Sequence, residues 1–367
     1  MEIQGKQYHT IWLQKNSTNI VEVIDQRKLP FQFEVFEMKT VEDAFFAIKE
    51  MVVRGAPLIG VTAAYGMYLA LLQTERSELE FVIKSKGDYL KASRPTAVNL
   101  AFAVDCMTDF ILENKNDENL LEQTLEKAHQ LKAEEIEFSS KIGDFGLEII
   151  EKIYAAKQDT VNVLTHCNAG WLACIDWGTA TAPIYKAHLK GIPVHVWVDE
   201  TRPRNQGARL TAYELGEQGV AHTVIPDNTG GHLMQHGMVD LVIVGSDRTS
   251  VTGDVANKIG TYLKALAAHD NNIPFYAALP SSTFDWEIED GVKQIPIEQR
   301  DPGEVSEIEG WTKTGIQNVR LIPENSKVAN YGFDVTPARL VSGLITERGV
   351  CSANRKSILK LFPEKKS

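Results

Sequence analysis

Cysteine is scarce: 367 residues hold only Cys106, Cys167, Cys174 and Cys351. No two form a C-x-x-C pair and the gaps are irregular. That excludes a disulfide framework, gives no zinc spacing and fits a reducing compartment. Positive charge is also short: Lys plus Arg is 38 against 49 Asp plus Glu, a formal net charge of −11. An acidic chain without a basic run is a poor ligand for nucleic acid or an anionic membrane surface. No apolar run approaches the ~20 residues that span a bilayer. The first ten residues, MEIQGKQYHT, have neither a basic nor an apolar signal region. A cytoplasmic protein is therefore expected. There is no G-x-G-x-x-G and no G-x-x-x-x-G-K-[ST], so the familiar dinucleotide and P-loop sites are not supported. Neither a metal nor a cofactor is expected.

What remains is ordinary for a globular enzyme-sized chain: 43% hydrophobic and 24% charged residues, enough length for two domains. Residues 1–38 alternate β-branched and aromatic runs with Asn and Ser, which predicts a small antiparallel hairpin or meander. Thr40, with Asp43 three residues on, starts a helix. Leu58 to Leu72 reads as a helix apolar nearly all round, hence buried. Residues 98–112 and 117–156 are helical in pattern. After residue 156 the pattern changes. Short β-rich runs at Val161–Thr165, Val194–Val198, Ala221–Ile225, Leu241–Val244 and Pro274–Leu279 alternate with helical stretches such as Trp171–Leu189 and Ala256–Ala268. The tail adds a β-like run at Val319–Ile322 and a helical one at Pro337–Thr346. Alternation of this kind predicts βαβ units and a parallel sheet. The expected fold is α/β: residues 1–145 a smaller β-meander and helical domain, residues 146–367 a Rossmann-like domain.

In an open α/β sheet, ligands bind beyond the carboxyl ends of the strands. At those ends the chain places His166-Cys167-Asn168-Ala169-Gly170, then Asp199 to Gly207 with Arg202, Arg204 and Gln206, then Pro226 to Gly231, then Gly245-Ser246-Asp247-Arg248, then Pro280-Ser281-Ser282-Thr283. Reactive and polar residues thus collect on one edge. Cys167 precedes a predicted helix start, which would favour its thiolate; a small buried hydrophobe is the equal alternative. Asp247 is either a capping or ion-paired carboxylate or one tuned by burial. Asp254 is placed as the N-cap of a helix, with Asn257 and Lys258 in a first turn suited to an anion. Arg54-Gly55-Ala56, and Arg94, taken alone, are ordinary arginines between helices. Cys106, Cys174, Cys351, His166 and His195 read as structural.

Taken together, Val53-Arg54-Gly55-Ala56-Pro57, Arg94-Pro95-Thr96-Ala97-Val98-Asn99, His166-Cys167-Asn168-Ala169-Gly170, Glu200 to Gly207, Gly253 to Thr261, and Phe333-Asp334-Val335-Thr336-Pro337-Ala338 resemble the methylthioribose-1-phosphate isomerase family, in order and over residues 50 to 350. The resemblance implies a two-domain homodimer that acts on a small sugar phosphate. The reaction is conversion of 5-methylthioribose 1-phosphate to 5-methylthioribulose 1-phosphate in methionine salvage. Cys167 and Asp247 match the family's catalytic pair. Arg54, Gly55, Ala56, Arg94, Gln206, Asn257 and Lys258 match its substrate-binding residues. Ser246, the segment Arg248-Thr249-Ser250-Val251-Thr252-Gly253 and the stretch Asp285–Asp301 depart from the family pattern, near the site. Relatives act on 5-deoxyribose 1-phosphate or ribose 1,5-bisphosphate. Regulatory subunits of a translation nucleotide-exchange factor share the fold as interaction proteins without the Cys and Asp pair.

Overall fold

A computed structural model describes residues 1–94 and 98–366. Pro95, Thr96 and Ala97 of the Arg94 motif lie outside the described residues. The chain opens with a three-stranded antiparallel meander, Ile11–Leu13, Val21–Ile24 and Val35–Met38. Alternate residues Ile11, Val21, Val23 and Met38 are buried, the period-two pattern of a half-buried sheet. Thr40 then caps α1 (Val41–Lys49), accepting from Asp43 N–H at 3.1 Å while Asp43 accepts from Thr40 N–H at 2.9 Å. Every residue from Pro57 to Leu71 of α2 (Ala56–Leu72) is buried. The reason is that α1, α3 (Leu79–Lys91), α4 (Val98–Glu113) and α5 (Leu120–Lys157) all pack around it. Sequence periodicity does not resolve α3: its buried positions Leu79, Ile83, Gly87 and Leu90 make only a narrow stripe among charged residues.

Seven strands form the central sheet: β1 (Val161–Thr165), β2 (Val194–Asp199), β3 (Ala221–Ile225), β4 (Leu241–Val244), β5 (Phe275–Ala278), β6 (Gly343–Thr346) and β7 (Gly349–Cys351). Their spatial order is β7-β6-β5-β4-β1-β2-β3, and all pairs are parallel except β6 with β7. The chain therefore winds outward from β1 in one direction, returns, and winds outward from β4 in the other. The point where it reverses lies between β1 and β4, which is where a doubly wound sheet opens its crevice. Both faces are covered. Leu241 and Ile243 of β4 enter one core, Val242 and Val244 another.

Three sequence expectations fail here. Pro337–Thr346 is not helical but a short turn followed by β6. The β-like run at Val319–Ile322 is strand only at its start, Val319 and Arg320, as the end of a separate hairpin, Glu307–Thr312 with Gly315–Arg320. Trp171–Leu189 is two short helices, Trp171–Cys174 and Ala182–Leu189. Asp254 caps no helix: Val255–Lys258 is a strand of a second, four-stranded sheet, and the helix begins only at Thr261. The Asp254 carboxylate is used elsewhere, accepting from Gly291 N–H at 2.8 Å and Ala338 N–H at 2.9 Å.

The helix α5 is 38 residues long. Its Ala128 and Leu131 lie in the core of the helical part, and its Ile142 and Ile150 in a core beneath the central sheet. Ile3, Ile24 and Leu29 from the chain's start join that second core as well.

Candidate active site

The crevice between β1 and β4 is a cavity of about 590 Å³. Cys167 enters it from the end of β1 and Asp247 from the end of β4. Cys167 holds φ at +69°, a left-handed conformation uncommon outside glycine. It is pinned there from β2: its N–H donates to Thr201 Oγ1 at 2.8 Å and its carbonyl accepts from Thr211 Oγ1 at 2.7 Å. Arg54 donates to Asn168 Oδ1 at 2.6 Å and to the Asn168 carbonyl at 2.7 Å, which leaves its Nη2 3.9 Å from the Cys167 sulfur. Asn168 is in turn held by Glu214, whose carboxylate also takes the Trp171 and Leu172 N–H groups and the Tyr185 hydroxyl. Burial pushes Glu214 up to about 7 despite these donors.

Gly55 is the N-cap of α2, with φ +92° and no side-chain cap. A Cβ there would stand 2.4 Å from the Ala173 Cβ. Only glycine fits, and the free end of a long buried helix points at the cavity, a ready anion site. Lys258 reaches the cavity from its strand and lies 4.3 Å from the centre of the Phe333 ring, which faces it across the antiparallel pair. Arg94 stands 3.8 Å from Glu298.

All nine residues anticipated from the sequence line this one cavity: Cys167, Asp247, Arg54, Gly55, Ala56, Arg94, Gln206, Asn257 and Lys258. The helix expected beside Asp254 contributes nothing; the helix dipole here is that of α2. Burial raises the Cys167 thiol above its ordinary value, against the pull of Arg54 and Lys258. Burial also lowers Lys258 and Arg94, with Asp247 favouring the charged form of both. The helix after Cys167 is only four residues long, so cations rather than a helix end are what favour thiolate. Asp247 is half-buried. Gln206 Oε1 and Arg94 Nε are buried with no partner among the described residues, a cost that a polar ligand in the cavity would relieve.

Two wall residues, Met51 and Thr179, gave no sign of a role in the sequence. Gly245 and Thr283 belong to the strand-end loops singled out there, and Phe333 is the first residue of the late Phe333–Ala338 motif. A second chamber of about 500 Å³ shares Ala56, Arg94, Asp247 and Phe333 and adds Ile59, Arg248, Ala256, Ile295 and Pro296. Arg202 and Arg204 line neither. Arg202 donates to the Pro203 and Val305 carbonyls at 2.6 and 2.9 Å, and Arg204 to Glu304 at 2.9 Å.

One cluster could in principle hold a metal: His166, Asp199 and Asp227, with ligand atoms within 4.8 Å of one another. Spacing along the chain could not show it, because the three come from the ends of three strands. It already holds a cation. Lys264 Nζ lies 3.1 Å from Asp199 Oδ2 and donates to the Asp227 carbonyl. His166 Nε2 is 2.8 Å from the Ile259 carbonyl oxygen. The cluster ties the Cys167 turn to the strand that carries Lys258.

The initiation factor 2 subunit family matches residues 52–353. The chain is 58% identical over 359 residues to a methylthioribose-1-phosphate isomerase of Desulfosudis oleivorans, covering 97% of each chain. Among solved structures, 5-methylthioribose 1-phosphate isomerase from Pyrococcus horikoshii OT3 is similar with a TM-score of 0.84 and 37% identity, over 98% of this chain and 97% of that one. A protein from A. fulgidus described as translation initiation factor eIF-2B, subunit delta, is similar with a TM-score of 0.80 and 39% identity, over 97% of this chain and 100% of that one.

Proposed function

The chain belongs to the initiation factor 2 subunit family, among its methylthioribose-1-phosphate isomerases, and we propose that it converts 5-methylthioribose 1-phosphate to 5-methylthioribulose 1-phosphate in methionine salvage. The observation that carries this reading is the meeting of a buried thiol and a carboxyl with three cations and a bare helix end in one cavity. The substrate is an aldose whose anomeric phosphate locks the ring, so it cannot open to a free aldehyde. The phosphate sits against Arg54, Arg94, Lys258 and the N-terminus of α2. Cys167 as thiolate takes the C2 proton while Asp247 gives a proton to the departing ring oxygen, and the C1–O bond breaks. An enol between C1 and C2 results. Asp247 then recovers a proton from the C2 hydroxyl and Cys167 delivers its own to C1, which completes the ketose and restores both groups. Two groups of opposite protonation state suffice.

The second chamber supports an apolar 5-substituent. Ile59, Ala256, Ile295 and Pro296 line it beside Arg248, and two of these apolar residues come from the stretch that departs from the family pattern. A 5-phosphate would need its own cations; Arg248 lies 3.5 Å from the Asp285 carboxylate, and Arg202 and Arg204 are committed to carbonyls and to Glu304. Methylthio and methyl differ by one sulfur in an apolar pocket, worth about 1–3 kcal/mol. A steady-state comparison tests this. 5-Methylthioribose 1-phosphate and 5-deoxyribose 1-phosphate are both turned over, with kcat/KM within about two to three orders of magnitude, and ribose 1,5-bisphosphate is far poorer. A bisphosphate preferred over the other two would overturn the assignment. The reading as an interaction subunit is disfavoured by the presence of both Cys167 and Asp247. A homodimer in a cytoplasmic setting, with residues 1–145 and 146–367 as its domains, completes the proposal.

A further inference from the structure

A larger cavity, about 1080 Å³, lies behind the catalytic one, between the helical part and the end of the chain. Val61, Leu131, Phe102 and Phe138 form one wall; Phe284 and Trp286 form the other. Its floor is polar. Asn99, 2% exposed, donates to Ser282 Oγ at 2.9 Å, and Ser282 donates to Glu135 Oε1 at 2.9 Å. That leaves Asn99 Oδ1 and Glu135 Oε2. Both atoms are buried, and neither has a partner among the described residues. Two buried acceptors, joined through Ser282 and each without a donor, are costly. The aromatic walls already receive cations at the rim: Lys365 Nζ lies 5.6 Å from the centre of the Trp286 ring.

We propose that this cavity binds a small organic cation, a primary ammonium on an aromatic body. The ammonium donates to Glu135 Oε2 and Asn99 Oδ1, and the ring lies among Phe102, Phe138 and Trp286. An ammonium has three donors and no acceptor, which matches two orphan acceptors and excludes an anion. Burial pushes Glu135 up to about 7, Ser282 opposes this, and the neighbouring carboxylates Glu347 and Glu134 add to it. No cation figures among those influences, so a bound ammonium would supply the missing charge. The cavity also touches the catalytic one. Pro57 lines both, and the turn of Ser281, Ser282 and Thr283 separates them. The Glu135 charge is felt at Cys174, whose thiol is raised by burial first and Glu135 next.

The probe is 2-phenylethylammonium against neutral 2-phenylethanol, with binding to the full chain followed by ligand-observed NMR and calorimetry. The ammonium is expected to bind at least tenfold tighter at pH 8. Glu135→Gln should erase that preference. Lowering the pH from 8 to 6 protonates Glu135, so the ammonium should lose affinity several-fold while the alcohol does not. The other charges facing the group are Glu134 and Glu347 beside it and Arg348, Glu364 and Lys365 at the rim. Phe102→Ala, at a position 56% exposed, keeps the test alive should Glu135→Gln not fold, and should weaken both probes at least threefold. Equal affinity for the two probes, a preference that survives Glu135→Gln, or binding indifferent to Phe102→Ala would overturn the proposal. So would sedimentation in which Phe102→Ala changes the mass of the protein, since the cavity would then belong to a second copy of the chain.

Discussion

At the scale of single residues, the proposed reaction separates groups that would react from groups that would hold. Cys167→Ser should lower kcat by several orders of magnitude with little change in KM, because a serine alkoxide is far less accessible than a thiolate. Cys174→Ser should stay within a fewfold of the parent in the same assay. Asp247→Asn keeps the volume and removes the transferable proton, so kcat should collapse while the circular dichroism spectrum is unchanged. An active Asn variant would make Asp247 a structural carboxylate. The pH profile adds a signed test. Burial raises the Cys167 thiol and Arg54 and Lys258 pull it down, so kcat/KM of the parent should climb into the alkaline range as thiolate forms. Lys258→Met removes one of the two cations and should move that limb to still higher pH. It should also raise KM through the lost phosphate contact. All nine residues that line the cavity were named from the sequence through the family resemblance; the strand-end loops by themselves pointed to Cys167, Gln206 and Asp247, whereas Arg54 and Arg94 read alone as ordinary arginines. The state of the thiol was not legible. It depends on Arg54, more than a hundred residues away, and on a helix that proved to be four residues long.

At the scale of elements, α2 does two jobs, and they can be broken apart. Leu69 is fully buried within it, and Leu69→Ala should cost about 2–5 kcal/mol, read as a lower denaturant midpoint with kcat retained. Gly55→Ala should do the reverse. A methyl 2.4 Å from Ala173 displaces the N-terminus that would hold the phosphate, so KM should rise more than the unfolding midpoint falls. Five of the seven central strands were legible almost to the residue, since runs such as Val161–Thr165 and Leu241–Val244 are rich in β-branched and apolar residues and bounded by turns; β6 was read as helix and β7 was not read. The errors share a cause. Val255–Lys258 has weak strand propensity, and Asp254 resembles an N-cap, yet partners from Gly291 and Ala338 claim that carboxylate. Tertiary pairing overrode local preference there. Pro337–Thr346 was misread for the same reason, as β6 is a strand by virtue of its neighbour β5.

At the scale of the whole molecule, stability should respond to acid through one half-buried group, Glu304. Burial alone would raise Glu304, but Arg300 and Arg204 overcome it and hold the carboxyl at about 2. Its folded value lies below its unfolded one. The stabilisation is therefore complete above the ordinary carboxylate range and is lost as the pH falls from about 4.5 towards 2, on the order of 2–3 kcal/mol in all once solvent screening is allowed for. The gap between the melting temperatures of the parent and Glu304→Gln, measured from pH 7 to pH 3, should narrow below about pH 4.5 and be reduced by roughly half at pH 3; parallel curves would discount the group. Exhaustive chelation should leave turnover unchanged, since Lys264 already supplies the charge among His166, Asp199 and Asp227. The long helix α5 has a consequence of another kind. One end of it is buried in the helical core and the other in the core beneath the sheet, where Ile3, Ile24 and Leu29 also lie. Neither core can melt without stripping the other of part of its surface. Scanning calorimetry should accordingly show one endotherm, with van't Hoff and calorimetric enthalpies in agreement, and a chain severed at residue 145 should yield two fragments that remain unstructured apart and regain ellipticity only when mixed.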